Sequence, residues 1–317
     1  MSDYDFRATA NYNHTFDKVH IMNLFGGMES KDIHRTRSGF EGWGMQFDAG
    51  ETPFYVYPYF KKQVEEGNSY YSLANTTSRS VAFFTNGTYS YKGKYVFNGT
   101  YRYEGSNQMG RSSKARWMST WNVSGSWNVH EEKWFDKLNP LSHLTLRASY
   151  SLTGTPPDAI FTNSVAILRA TTPYRRFASV KEPAIEIADL ANTGLTYEKK
   201  NELNLGVDFG LWRDRVNVTF DIYTRNNFDE MGYTPTEGVG GKVLRSANIA
   251  ELHSHGMELS VSSTNIKTKD FSWITNFIYS YTHTNITKLH NYASVRHLVN
   301  GSGFALKGYP VRALFSI

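Results

Sequence analysis

The stretch from Ser78 to Asn107 constrains the fold of this chain most strongly, because apolar and polar residues alternate through two long runs. Successive side chains of a strand point to opposite faces, so each run predicts a strand with one apolar and one polar face. The pair Lys92-Gly93 between the runs predicts the tight turn of an antiparallel hairpin. The residues that share the apolar parity are Val81, Phe83, Gly87, Tyr89, Tyr91, Tyr95, Phe97, Gly99, Tyr101 and Tyr103.

The length of these strands favours a membrane protein. Soluble sheets use strands of about five or six residues, whereas a tilted strand needs roughly 9–11 residues to cross a bilayer. The mean hydropathy is −0.49, and no run approaches the roughly 18 consecutive apolar residues of a membrane helix. A membrane barrel gives this combination because only every second residue faces lipid. A soluble all-β protein gives it too, so composition leaves both classes open.

The same alternation recurs along the chain and predicts about ten strands. Tight turns at residues 15–18, 92–93, 212–214 and 267–270 alternate with longer connections at residues 29–78, 154–193 and 226–250. Outer-membrane barrels sort their connections in this way, with short periplasmic turns and long extracellular loops. We therefore predict an all-β fold, an antiparallel transmembrane β-barrel segment.

Charged residues fall on the polar face of the predicted strands. A Lys or Arg facing lipid at the bilayer midplane costs about 2–4 kcal/mol. We therefore predict that this face lines a wet interior or contacts protein that fills it. The candidate lumen-facing residues are Arg102, Arg147, Asp208, Asp221 and Glu258.

Aromatic residues concentrate in the first long connection and around its ends. Loops over a rigid scaffold often carry binding residues, so these side chains could stack on sugar rings or apolar ligands. A loop that packs on itself would use the same residues, and the sequence leaves both interpretations open. The candidate ligand contacts are Trp43, Tyr55, Tyr57, Tyr59, Tyr70 and Tyr71.

The sequence carries no recognisable catalytic motif. It lacks a GxSxG motif, a P-loop and a dinucleotide-binding glycine signature, and it has no cysteine. His253 and His255 would share one face of a strand, but no third ligand is nearby in sequence, which favours a polar pair over a metal site. Lys and Arg are scattered, so no nucleic-acid groove is indicated. We expect no enzymatic activity and no cofactor.

Several stretches resemble the SusC/RagA family of TonB-dependent outer-membrane transporters. Leu144-Thr-Leu-Arg-Ala-Ser-Tyr-Ser-Leu-Thr-Gly and Glu202-Leu-Asn-Leu-Gly-Val-Asp-Phe-Gly-Leu are two of them. They follow the order of the family over most of the chain. The other matching stretches are residues 91–107, 121–128, 195–199, 256–260, 270–273 and 308–310.

The resemblance implies a part of a larger transporter. Members import nutrients such as glycans or peptides through a barrel of 22 strands, with an internal plug, a SusD-like surface lipoprotein as lid, and TonB as the source of energy. We therefore expect residues 1–317 to form a partial barrel domain without plug or signal peptide. The expected location is the outer membrane of a Bacteroidota-like Gram-negative bacterium, in contact with outer-membrane lipid.

Two other classes stay open at this point. In a soluble β-sandwich or carbohydrate-binding module, the apolar faces of two sheets would pack together as a core. In a small passive outer-membrane barrel, the ten strands would close on themselves. We further expect that residues 1–317 alone do not transport, because an unclosed sheet leaves unpaired backbone groups at two edges.

Overall fold

The computed structural model describes most of the chain. The described residues are 2–41, 43–54, 56–109, 113–135, 140–156, 166–173, 182–192, 194–238, 244–290 and 304–314. Strands dominate this part of the chain, and the helices are short. The strands are β1 (Ser2–Phe16), β2 (His20–Phe40), β3 (Met45–Gln46), β4 (Thr52–Pro53), β5 (Tyr71–Tyr91), β6 (Tyr95–Ser106), β7 (Trp117–Asn128), β8 (Leu141–Thr155), β9 (Ile167–Thr171), β10 (Ala184–Asp189), β11 (Glu198–Leu211), β12 (Val216–Pro235), β13 (Leu244–Lys267) and β14 (Ser272–Leu289). The helices are α1 (Tyr57–Glu65) and α2 (Ser113–Arg116), with 3-10 turns at Phe47–Ala49, Asn107–Met109 and Val129–Glu131.

Ten of the strands form one antiparallel sheet, which confirms the predicted all-β fold and strand number. Its order is β1-β2-β5-β6-β7-β8-β11-β12-β13-β14, so each strand pairs with its neighbours along the chain. Within the described residues, β1 pairs with β2 and β14 pairs with β13. The sheet is therefore open at both edges, as expected for part of a larger barrel wall and unlike a small closed barrel.

The tight turns adopt the backbone that a twisted hairpin requires. Lys92 and Gly93 have φ of 53° and 71°, which places both central residues in the left-handed region of a type I′ turn. Asp17 and Lys18 repeat this geometry with φ of 48° and 58° between β1 and β2. Four tight turns, at residues 17–19, 92–94, 212–215 and 268–271, lie at one end of the sheet.

The long connections lie at the other end of the sheet. One pair of connections departs from the rule that short connections lie at one end and long connections at the other. The β7–β8 connection at residues 129–140 lies at the tight-turn end, yet it is slightly longer than the β6–β7 connection at residues 107–116. A 3-10 turn at Val129–Glu131 follows β7 directly. The β2–β5 connection carries the small hairpin β3–β4, and the β8–β11 connection carries the small hairpin β9–β10.

Two stretches predicted as connections contain long segments of strand, and this part of the prediction was wrong. In the predicted connection 29–78, β2 continues to Phe40 and β5 begins at Tyr71, paired from Phe40↔Tyr71 onward. In the predicted connection 226–250, β12 continues to Pro235 and β13 begins at Leu244. Both hairpins therefore project as paired strands beyond the length needed to span a bilayer.

A small hydrophobic core lies at the loop end of the sheet. Met109, Met118, Leu195 and Tyr197 are buried together, with Leu152 and Met231 packed against them. The Tyr197 hydroxyl donates to the carbonyl of Arg116 at 3.3 Å. Residues from two connections and three strands thus meet at one point, which fixes these two connections relative to the sheet.

The sheet buries little of its apolar surface within this chain. Phe97 is 57% exposed, Phe277 54% and Leu205 44%, although all three occupy strand positions that a sandwich would bury. A soluble β-sandwich would cover such a face with a second sheet of similar size, and the only other sheets among the described residues have two strands each. Among the described helices, we find none whose length and hydropathy would let it cross a membrane.

Candidate functional site

The strand register divides the large sheet into two chemically distinct faces. Directly opposed residues share a face, and one row runs through Ala148, Leu205, Ile222 and Met257. We call the face that carries this row the apolar face. The opposite face, which we call the polar face, carries Asn, Ser, Thr and all of the charged candidates from the sequence.

Arg102 is the centre of one charged group on the polar face. Its guanidinium pairs with Glu29 on β2, and its Nε lies 2.6 Å from Oε2 of Glu104. Glu29 is separated from Arg102 along the chain and reaches it because β5 lies between β2 and β6 in the sheet. The positive charge is therefore compensated across three strands rather than left open to a ligand.

Arg147 is the centre of a second group. Its Nε and Nη2 donate to the two carboxylate oxygens of Asp208 at 2.6 and 3.1 Å, and Nη2 lies 3.2 Å from Asp221. This forked arrangement is the strong form of an arginine–carboxylate pair. Glu258 lies opposite Asp221 in the register and has no ion pair among the described residues. Four of the five charged candidates therefore lie close together, while Arg102 belongs to a separate group.

Gly206 makes the second group possible and was missed by sequence reasoning. It lies between Arg147 and Asp221 in the register, so the two side chains meet across its bare backbone. A Cβ at this position would approach Nη2 of Arg147 to 2.8 Å and would contact Asp221 more closely still. The signal in the sequence is a glycine at a polar-face position of an otherwise regular strand.

This geometry gives the first testable prediction. We expect Gly206→Ala to lower the free energy of unfolding of the intact receptor by about 1–3 kcal/mol, because the added methyl displaces the Arg147 pair. Gly99→Ala is the matched control, since a Cβ there meets nothing within 4 Å. The measurement is urea unfolding in detergent, and equal midpoints for both variants would contradict this role of Gly206.

A third charged group, also missed in the sequence, lies nearer the loop end of the polar face. Glu202 accepts from Arg225 at 2.8 Å and lies 3.2 Å from Lys200. The guanidinium of Arg225 also stacks over the ring of Tyr223 at 3.9 Å. Asn and Thr occupy the neighbouring polar positions of these strands. The alternating pattern therefore does not distinguish a charged residue from the other polar residues there.

A cavity of about 390 Å³ opens beside the first charged group. Its lining includes Arg7, Phe25, Phe84, Asn86 and Arg102, and Arg7 lies 5.1 Å from the centre of the Phe84 ring. The polar face thus combines charge, amides and two aromatic rings in one concave region. Such a mixture suits contact with a polar segment of protein or with a hydrated solute.

The loop aromatics form a chain of ring contacts. Trp43 lies 5.3 Å from Phe60 between ring centres, and Phe60 lies 5.4 Å from Tyr70. Tyr57 and Tyr59 lie on α1, where they are 73% and 50% exposed, and Tyr71 begins β5 with 51% exposure. Tyr55 lies outside the described residues. The loop therefore packs in part on itself and also presents exposed rings.

Trp43 and Tyr59 also line a cavity of about 310 Å³ in this loop. Phe54, Val56 and Phe60 complete its apolar wall. Sequence reasoning missed Phe60, which joins Trp43 to Tyr70. Its place on α1, one residue after Tyr59, was hidden because the connection was predicted to be irregular.

Glu132 and Tyr197 lie outside the membrane-spanning part and have shifted pKa values. The hydrogen bond from Lys94, at 2.9 Å, together with one from Tyr95, lowers the pKa of Glu132 at the tight-turn end. Burial raises the pKa of the Tyr197 hydroxyl to about 12 at the loop end. Both shifts follow from contacts that fix a connection, and neither group adjoins a nucleophile or a metal-binding cluster among the described residues.

The two-faced sheet, its tight turns and its long connections are the features of a transmembrane β-barrel wall. The family model for the TonB dependent receptor-like β-barrel matches residues 2–312. The chain therefore belongs to the TonB-dependent receptor family.

Named relatives agree with this assignment. The chain is 26% identical over 296 residues to TonB-dependent receptor P3 of Formosa agariphila. The matched region covers 90% of this chain and 28% of the relative. It is 28% identical over 278 residues to TonB-dependent receptor SusC of Bacteroides thetaiotaomicron, covering 84% and 26%. The chain thus spans about a quarter of the length of these curated relatives.

Solved structures support the fold. The RagAB peptide transporter superposes with a TM-score of 0.71 at 21% identity, covering 90% of this chain and 30% of that one. The outer membrane transporter YddB of Escherichia coli superposes with a TM-score of 0.55 at 10% identity, covering 90% and 34%. At these identities the likeness concerns the fold alone.

Proposed function

We propose that this chain is part of the barrel wall of an energy-dependent outer-membrane importer of the SusC/RagA type. The observation that carries the proposal is the family match over residues 2–312 on a sheet whose apolar face is exposed. The substrates would be glycans or peptides, the lid a SusD-like lipoprotein, and TonB the source of energy through a plug. Membership of a transporter and receptor family supports transport, and we propose no catalytic role for this part of the receptor.

The polar face would line the lumen in this proposal. Arg102 and Arg147 are compensated by carboxylates from neighbouring strands, which suits a wall that guides a hydrated solute or holds a plug rather than one that captures an anion. Glu258 is exposed beside the Arg147 group. It is therefore our candidate for a direct contact with the plug or the solute.

The test of transport uses the intact receptor in its own cell. Deleting the gene is expected to abolish uptake of one labelled class, oligosaccharides or oligopeptides, and the wild-type gene is expected to restore it. Uptake is also expected to stop when TonB is removed or the proton-motive force is collapsed. Uptake that persists without TonB would contradict active import, and uptake unchanged by the deletion would remove the transport function altogether.

The loop aromatics give a prediction about substrate contact. We expect Tyr59→Ala to raise the half-saturating substrate concentration of the intact receptor roughly tenfold, because an aromatic contact contributes about 0.5–1.5 kcal/mol beyond its buried area. Lys61→Ala on the same helix is the matched control, since its pair with Glu65 at 3.9 Å is exposed and contributes little. Equal half-saturation for both variants would mean that the loop packs only on itself.

A further inference from the structure

Three histidines meet on the apolar face near the loop end of the sheet. His253 and His255 lie on β13, and β14 supplies His283 directly opposite His255. The ring centres are 5.9 Å apart for the first pair and 5.4 Å apart for the cross-strand pair. The next opposed pair toward the tight turns, Met257↔Tyr281, continues the apolar row, so the cluster interrupts an apolar surface.

The height of the cluster corresponds to a membrane interface. Trp273, near the start of β14, and His283 share one face and are separated by ten strand positions. At about 3.3 Å per residue and a tilt near 40°, this distance is roughly 25 Å, the height of the apolar band of a barrel. Trp273 would then mark the interface at the tight-turn end, and the histidines would meet the headgroups of the outer leaflet.

The outward positions between these two levels carry no charge. On β14 they are Thr275, Phe277, Tyr279 and Tyr281, and on β13 they are Ser263, Val261, Leu259 and Met257. The first ionisable side chains above the apolar band on these strands are therefore the three imidazoles.

Among the described residues, the cluster has no carboxylate partner. Three other histidines, His34, His130 and His143, each lie within 3.8 Å of an Asp or Glu. Nδ1 of His253 forms a hydrogen bond with the amide oxygen of Asn226 at 2.7 Å. The other ring nitrogen, Nε2, remains available to a ligand.

The polar groups that the structure describes around the cluster supply no countercharge. On the same face, Thr224 of β12 lies opposite His255, and Asn285 of β14 lies opposite His253. The nearby charged residues on β13 and β14, Glu251 and Lys288, pair with each other at 2.9 Å. An anion that approached from the membrane would meet donors here without displacing a protein carboxylate.

We propose that His253, His255 and His283 bind the phosphate group of an anionic lipid in the outer leaflet. Close imidazoles repel one another when charged, and a phosphate between them relieves this repulsion and accepts their N–H groups. The lipid chains would follow the apolar row below, along Met257 and Tyr281. The inference rests on the outer-membrane placement of the barrel and is independent of what the receptor transports.

The test measures lipid binding to the intact receptor by native mass spectrometry in detergent. Phosphatidic acid is the probe, because it offers a phosphate monoester on an acyl-chain lipid. We expect the combined variant His253→Gln, His255→Gln, His283→Gln to weaken its binding roughly tenfold, since a hydrogen bond to a charged group contributes more than a neutral one. His14→Gln with His20→Gln, on the same face at the tight-turn end, is the matched control and should bind as the wild type.

Further readouts keep the proposal testable if the combined variant folds poorly. His255→Gln alone, which leaves the other two imidazoles in place, should weaken wild-type binding in part. Equal binding by the variants and the wild type would overturn the proposal. Displacement of the lipid by an equal concentration of inorganic phosphate would reassign the site to free phosphate. Stoichiometric Zn²⁺ binding that the combined variant loses would reassign it to a metal and equally overturn the lipid assignment.

Discussion

Replacing Leu205 with arginine is expected to destabilise the intact receptor by about 2–4 kcal/mol. Leu205 lies in the middle of β11 on the apolar face, opposite Ala148 and Ile222, and 44% of its surface is exposed. In a barrel wall that surface meets hydrocarbon, and an arginine at the midplane costs this amount. The measurement is reversible urea unfolding of the receptor in lipid vesicles.

Asn204→Arg provides the matched control on the next residue of the same strand. Asn204 faces the polar side, in one row with Ser149 and Tyr223, where an arginine meets water or polar side chains. We expect it to change the free energy of unfolding by less than about 1 kcal/mol. Equal destabilisation by both variants would contradict the division of the sheet into a lipid face and a polar face.

Arg147→Leu is also expected to lower the free energy of unfolding of the intact receptor. The substitution leaves Asp208 and Asp221 without their shared guanidinium, beside Glu258, which has no ion pair within the described part of the chain. Removing one partner of a buried pair costs about 3–5 kcal/mol, but the Arg147 side chain is 38% exposed, so we expect about 1–3 kcal/mol. The same vesicle unfolding experiment measures it.

Two further variants separate this effect from a general loss of charge. Arg35→Leu removes an exposed arginine that lies on the polar face of β2 and has no ion pair among the described residues, so it should stay within about 0.5 kcal/mol of the wild type. Arg147→Lys keeps the charge but loses the forked hydrogen bonds and should fall between the wild type and Arg147→Leu. If Arg147→Leu leaves the free energy of unfolding unchanged, the ion pairs on this face do not stabilise the barrel wall.

The sequence predicts the two faces and the strand order well, because both follow from local patterns. Alternation in the β5–β6 hairpin requires one apolar face, and the Lys92-Gly93 turn fixes its register. A short turn forces sequential strands to pair, so repeated hairpins lead directly to the observed order. The resemblance to the SusC/RagA family pointed to the same fold.

The ends of the long strands could not be predicted in the same way. Beyond the membrane, β2 reads Arg35-Thr-Arg-Ser, and β5 reads Asn75-Thr-Thr opposite it. Neither face there meets lipid or a packed core, so selection for alternating hydrophobicity is absent and the segments resemble loops. Pairing between the two strands satisfies the backbone without leaving a trace in the hydrophobic pattern.

Charged partners were predicted only in part, for a different reason. Arg102, Arg147, Asp208 and Asp221 stand out because a charge on a membrane strand demands a wet or paired environment. Their pairing depends on which strands are neighbours, and Glu29 reaches Arg102 across β5. The same limit explains His283, which lies opposite His255 in space but far from it along the chain.

The most direct test of the central claim is the accessibility of single cysteines along one strand. The sequence contains no cysteine. Once any cysteine elsewhere in the receptor is removed, Thr219→Cys or Phe220→Cys on β12 provides a single labelling site. A water-soluble maleimide applied to the intact receptor in lipid vesicles should label Thr219→Cys and spare Phe220→Cys. A lipid-phase quencher should act on a probe at position 220 only. Equal labelling of both positions, or the reverse pattern, would contradict the assignment of this sheet to the wall of a membrane barrel.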